Sequence, residues 1–430
     1  MNYSILLRNN PIVAIFAIFF VVGLNSLASG QGITPIDSYF PYSENAKYTR
    51  VSQVMGDQDY QGETKQLFLD HFQKYTLSRW TISSKTGDIP LFREEILRDL
   101  SRGKTGGTPH SDAVKLVFDF CYNVIANPKC ANYPVAVKYN AMLLLGGLRE
   151  KESDGSRSQG VPYTPALDLC LKSVSNAKLP EYLQIGAVKS LLSFVDTQLS
   201  LDQKKAVTSF FYKAIQEKVD TNSSAGAVWK KELAIAGMAK FADPGSKGEV
   251  IDLLCSIIGD NSSPLSTRIA ATGALSSFNY SIISSKSSTP LRHALASMIA
   301  DCLQEELERP TESLRYQGEA KRSRRTNNAS DMYVDDMSMQ EDYKDSIYLR
   351  QRVIAPLAVS IKAIRGDAPT KGLAGIGDFG SEEEKNKMKG LMSVIDKLVR
   401  DLKKEEIEIE SVQEILKRNQ AGFSKISKAK

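Results

Sequence analysis

KYNAMLLLGGL at 138–148, QIGAVKSLLSF at 184–194, KELAIAGMAKF at 231–241 and RIAATGALSSF at 268–278 share one template. In each, a small alanine (Ala141, Ala187, Ala234, Ala271) precedes Leu145, Leu191, Met238 or Leu275 by four residues, and Leu148, Phe194, Phe241 or Phe278 by seven. Positions i, i+4 and i+7 fall on one stripe of an α-helix, and a small residue in the stripe lets a neighbouring helix approach closely. Three residues before each alanine stands a long polar side chain, namely Lys138, Gln184, Lys231 or Arg268. The alanines lie 46, 47 and 37 residues apart, steps that suit a two-helix unit that must stack on its neighbours to cover its apolar face. ALDLCLKSV, AVTSFFYKAIQEKV and EVIDLLCSIIG supply the partner helices. Pro134, Pro180 and Pro264 stand near the starts of three second helices, where a missing backbone donor costs little.

The basic-x-small-Ala-x-x-x-Leu-small-x-apolar pattern resembles the second helix of HEAT repeats, over roughly 111–280. The chain also resembles a group of exported bacterial HEAT-like proteins, most clearly in NYPVAVKYNAMLLLGGL (132–148). The resemblance implies an all-α fold, an irregular α-solenoid of antiparallel helix pairs with additional N- and C-terminal helices. It carries little functional specificity, because that fold hosts scaffolds, adaptors and chaperone-like binders alike. The uneven spacing and the insertion EKESDGSRSQGVPYT (150–164) depart from a regular array.

Working outward, residues 1–30 read as a secretory signal. Arg8 supplies the positive start, 12–24 form an apolar run, and small residues follow at Ser26, Ala28, Ser29 and Gly30. That run is short of the ~20 residues a membrane-spanning helix needs, and no later segment is apolar enough to cross a bilayer. The expected product is therefore an exported chain, periplasmic or secreted, with an uncleaved N-terminal anchor as the alternative. Residues 31–62, rich in Tyr, Pro and Gly, read as an extended arm. N-terminal helices are expected in 63–110, one ending near Trp80 and one over Leu91 to Leu100, before the helical repeats of 111–310. In 311–340 the apolar period is lost and KRSRR (321–325) meets DMYVDDMSMQED, which reads as a disordered charged loop. Helical pattern returns over 341–367 as a segment docking on the array, followed by a Gly-rich linker at 368–380. An amphipathic C-terminal helix and basic tail occupy 381–430, opened by the capping box Ser381 and Glu384. Its stripe of Met388, Leu391, Met392, Ile395, Leu398, Val399 and Leu402 serves either to dock on its own chain or to recruit a partner helix.

The chemistry on offer is sparse. The 430 residues are 42% hydrophobic with a net charge of +5. Removing a leader with one Arg and no acid leaves 54 minus 50, or +4, too mild to imply nucleic acid. The three histidines, His71, His110 and His293, have no second His or Cys at ligand spacing, so no metal site is expected. GLAGIG (372–377) follows no strand, which favours a linker over a phosphate loop. Neither a nucleophile elbow nor a P-loop is present, so no catalytic residue or cofactor is assigned. Cys170, Cys255 and Cys302 sit in apolar helical patterns as buried hydrophobes. Cys121 and Cys130 are separated by a fold-back, which makes them a candidate disulfide, with two separate thiols as the alternative.

Lys138, Lys231 and Arg268 occupy equivalent places in successive units and form the candidate binding face, a cationic ladder. The plainer reading is that each caps backbone carbonyls or is solvated. The function expected is a non-enzymatic scaffold or protein-binding protein whose partner is another protein. The alternative is a binder of an anionic envelope polymer through the cationic face.

Overall fold

The computed structural model describes residues 62–428, apart from 82–86, 103, 106–107, 131–132, 154–158, 246, 279, 281–287, 310–330, 367–374 and 405–408. The expected signal, the arm up to 61 and the KRSRR block lie outside the described residues. Fourteen α-helices and two short hairpins make up the described chain, so the class is all-α. By contacts it divides into a unit ending at Ala166 and one starting at Leu167.

In the first unit, α1 (Gly62–His71) runs into a π-turn (Phe72–Thr76) and a 3-10 turn (Ser78–Thr81). α2 (Ile89–Arg102), α3 (Ser111–Ala126) and α4 (Val135–Leu145) follow. α4 packs on both α2 and α3. The core gathers Phe68, Phe72 and Trp80, the indole meeting Phe120 edge-on at 5.8 Å. Two segments read as loops carry strands instead. β1 (Lys104–Thr105) pairs with β2 (Thr108–Pro109), and β3 (Arg149–Lys151) with β4 (Val161–Pro162), both antiparallel. The second pair closes the base of the 150–164 insertion.

The second unit continues from α5 (Thr164–Val174), whose first residues belong to the first unit. It comprises α6 (Glu181–Phe194), α7 (Leu201–Gln216), α8 (Ala225–Phe241), α9 (Glu249–Gly259), α10 (Leu265–Leu275), α11 (Thr289–Glu308), α12 (Asp331–Arg365), α13 (Glu382–Leu402) and α14 (Ile409–Lys428). Second helices touch in the order α6, α8, α10, α12, and first helices in the order α7, α9, α11. Each of α7 and α9 also packs on the helix that follows it. The shared stripe explains this order. Ala187, Leu191 and Phe194, Ala234 and Met238, and Ala271, Leu275 and Phe278 are all buried, as are Ala141 and Leu145 of α4 and Leu148 just beyond it; Phe241 is half-buried. At ~25 cal/mol per Å² of apolar surface removed from water, this is the main stabilising contribution of each pair.

α11 packs against both α9 and α14. The C-terminal part differs from expectation in two places. The helix expected after 340 begins at Asp331, inside the segment read as charged loop. The C-terminal segment is two helices, α13 and α14, not one extended helix. α13 begins with the expected capping box, Ser381 Oγ accepting from Glu384 N–H at 3.3 Å and Glu384 Oε2 from Ser381 N–H at 2.8 Å. Its stripe is covered by its own chain, with Met388, Leu391, Ile395, Leu398 and Leu402 buried, while Met392 and Val399 are half-buried. The described end of the Gly-rich linker, 375–380, contains a packed 3-10 turn (Ile376–Asp378), with Gly375, Ile376 and Gly377 buried. A Cβ at Gly375 would collide with the backbone of Arg365 and Gly366, so only glycine admits that approach.

Candidate functional site

Three of the four polar residues that stand three before a repeat alanine, Gln184, Lys231 and Arg268, bond inside the fold. The helix pairs of the second unit close with one turn. Asn176, Asp220 and Asp260 each accept, through Oδ1, the N–H two residues on, at 3.0, 2.9 and 2.9 Å, and through the carbonyl the N–H three residues on. This is an Asx turn, the conformation that Asn and Asp side chains favour. Hydrogen bonds from Ser262, by side chain and backbone, hold the Asp260 carboxyl below the usual carboxylate range. The turn leaves the last carbonyls of the first helix without intrahelical donors. The long polar residue of the second helix meets such a carbonyl at Glu217 and Ile258, whereas Gln184 meets a carbonyl of the turn itself, at Leu179. Gln184 Nε2 donates to the Leu179 carbonyl at 2.9 Å, Lys231 Nζ to Glu217 at 2.9 Å, and Arg268 Nε to Ile258 at 2.8 Å.

The cationic ladder is thereby corrected for two of its three members. Lys231 is 5% and Arg268 2% exposed, so neither presents charge to a ligand. Arg268 also donates through Nη1 to Asp301 Oδ2 at 2.7 Å, which balances its charge. Burial pushes the Lys231 ammonium below its ordinary range, with Asp260 and Glu217 acting against that shift. Lys138 stands half-buried on α4, and its charge acts on the Cys130 thiol.

The candidate disulfide is also corrected. None of the five cysteines is bonded to another. Cys121 faces the core from within α3, which continues to Ala126, roughly 7 Å of further rise by helix geometry. Cys130 lies on the 3-10 turn Pro128–Cys130 beyond that end, and its buried thiol is pushed up by desolvation. Burial pushes the Cys170 and Cys302 thiols up to about 12, as suits inert core residues. Cys255, expected in the core, is half-buried.

Burial and the Arg79 guanidinium lower His71 to about 4, against the opposing pull of Glu95. Beside it, Arg79 bonds Glu95 at 2.7 Å and lies 4.5 Å over the Phe92 ring. Among the described residues no group of three His, Cys, Asp or Glu is placed to hold a metal ion.

What the sequence reading missed is a groove of about 720 Å³ between α7 and the connection from α8 to α9. That volume lies within the roughly 300–1,000 Å³ common for ligand sites. Met238 and Val250 form an apolar floor, and Leu201, the first residue of α7, stands at the mouth 82% exposed. The α7 wall carries Lys204 and Lys205, then the hydroxyls of Thr208, Ser209 and Tyr212. Spacings of four along a helix put Lys204 with Thr208 and Tyr212, and Lys205 with Ser209, on adjoining faces. The α7 helix is anchored by the box of Ser200 and Gln203, which fixes where this wall starts.

The opposite wall is a tight turn. α8 ends with Ala242 in the left-handed conformation (φ 52°), and Gly245 (φ 80°) and Gly248 (φ 75°) complete the reversal into α9. Asp243 Oδ1 accepts the Gly245 N–H at 3.0 Å, and Glu249 Oε2 accepts the Lys247 N–H at 3.0 Å. Both carboxylates of this wall therefore brace the turn. The signal in the sequence was the lysine pair, which is followed on its own helix face by hydroxyls and not by acids.

Comparison with protein-family models, with curated proteins and with solved structures gave no match.

Proposed function

We propose that this chain is an exported, non-enzymatic helical scaffold that binds another protein, with HEAT-like pairs as its framework. The observation that carries the reading is the groove beside α7. It combines an apolar floor, an exposed Leu201 and two lysines outside any internal ion pair among the described residues. Repeated helix pairs stacked in two layers hold such a wall rigidly, which lowers the entropy cost of binding. Export rests on the leader of 1–30. The anionic-polymer alternative has lost Lys231 and Arg268 from its cationic face, so it has less support than protein binding.

The test is crosslinking of the tagged full chain in its native envelope, followed by identification of what is captured. A defined protein recovered in constant ratio supports the scaffold reading. Recovery of polysaccharide or lipid without protein, released steeply by salt, would replace it with the polymer reading.

A further inference from the structure

We infer that the groove between α7 and the α8–α9 turn takes an acidic segment of a partner protein, one that carries an apolar side chain beside its carboxylates. The inference rests on the protein-binding reading and names the chemistry of the partner.

Charge runs across the groove in one direction. On the α7 wall Lys204 and Lys205 are exposed, and among the described residues neither is in an ion pair. The Lys204 ammonium lies 5.8 Å over the Phe241 ring, a contact that fixes its position and leaves its donors for an anion. On the turn wall Asp243 and Glu249 already accept backbone N–H groups, so their first need is met within the protein. An arriving carboxylate is drawn to the α7 side and kept from the turn side. The segment therefore lies in one orientation, its acids against Lys204 and Lys205.

The hydroxyls of Thr208, Ser209 and Tyr212 continue the same wall and can bond backbone carbonyls of an extended segment, whose spacing of about 3.3 Å per residue keeps it in register with several of them. Met238, Val250 and Leu201 give the apolar side chain its contact. Leu201 is the decisive member, since an aliphatic side chain 82% in water gains most from being covered. A basic segment would be repelled from the α7 wall by Lys204 and Lys205, and a purely acidic one would leave the floor wet.

The experiment uses the full chain and a labelled peptide of glutamates interspersed with leucines, read by fluorescence anisotropy. Two counterparts accompany it, one with lysine for glutamate and one with serine for leucine. The acidic apolar peptide should bind at least about tenfold tighter than either counterpart, and added salt should weaken it. Lys204→Glu with Lys205→Glu should reverse the preference toward the lysine peptide, and Leu201→Ser should weaken the leucine-bearing peptide selectively. Lys204→Gln with Lys205→Gln, which removes the charge without reversing it, should lose the acidic preference and gain none for lysine. Equal binding of the three peptides, or no change in any variant that melts as the parent does, overturns the inference. If crosslinking recovers the same partner from parent and charge-reversed chains in equal yield, the groove assignment fails while the scaffold reading stands.

Discussion

Two pairs of cations in the second unit carry the same charge and meet opposite fates. Lys231 and Arg268, at repeat-equivalent positions, are buried against the carbonyl ends of the helices they pair with. Lys204 and Lys205, on the first helix of their pair, stand in solvent on the groove wall. The difference teaches that a recurring polar residue in stacked helix pairs answers a recurring structural need. Here the need is a donor for a carbonyl at the helix end or in the turn that follows it, and uncharged Gln184 meets that need at the Leu179 carbonyl of its turn. Charge without an internal use is the better guide to a binding surface.

The comparison breaks hardest at Arg268. Arg268→Ala should lower stability by about 2–3 kcal/mol, because it uncaps the Ile258 carbonyl and leaves Asp301 without its partner. Chemical denaturation with an unchanged slope checks this, and a loss below about 0.5 kcal/mol would mean that the guanidinium is not structural.

His71 offers a third fate for a buried base, the loss of its charge. Its folded pKa of about 4 lies below the ordinary 6.5, so between those values the unfolded chain binds more protons. The stability it contributes is fully present above about 6.5 and is lost as pH falls toward about 4. Carboxylates titrate in the same window, so the measurement is a difference. The pH dependence of the melting temperature should be flatter for His71→Leu than for the parent, and superimposable curves would place the shift elsewhere.

Lys231→Met keeps the aliphatic stem and removes only the donor to Glu217, for an expected cost of about 1 kcal/mol. A stabilised variant would show that burying the ammonium outweighs its hydrogen bond. The smallest effect belongs to the groove. Lys204→Ala with Lys205→Ala should shift stability by no more than about 0.5 kcal/mol, since neither side chain is braced by an acid. A drop comparable to that of Arg268→Ala would erase the contrast between the two pairs.

Much of the helical framework was legible because burial repeats with the helical period. The stripe from Ala187 to Phe194 and its counterparts could be read without coordinates, as could the capping box at Ser381. The candidate site was not. Lys138, Lys231 and Arg268 align in sequence because they are equivalent in the repeat, and alignment alone says nothing of whether the chain tip meets solvent or a carbonyl. Cys121 and Cys130 are near in sequence, yet the length of α3 keeps one in the core and the other beyond its end.

By itself the sequence determined the helical class and the buried stripe, since these depend on local periodicity and on small residues at close approaches. Only the tertiary structure decided which polar side chains were consumed. That choice depends on where one helix ends relative to the flank of the next, a distance set by turns such as Asp260–Ser263 and by the left-handed residues between α8 and α9. It also decided that α14 covers α11 and that the α7 wall stays open, because both follow from the order in which helices stack and not from any one helix's pattern.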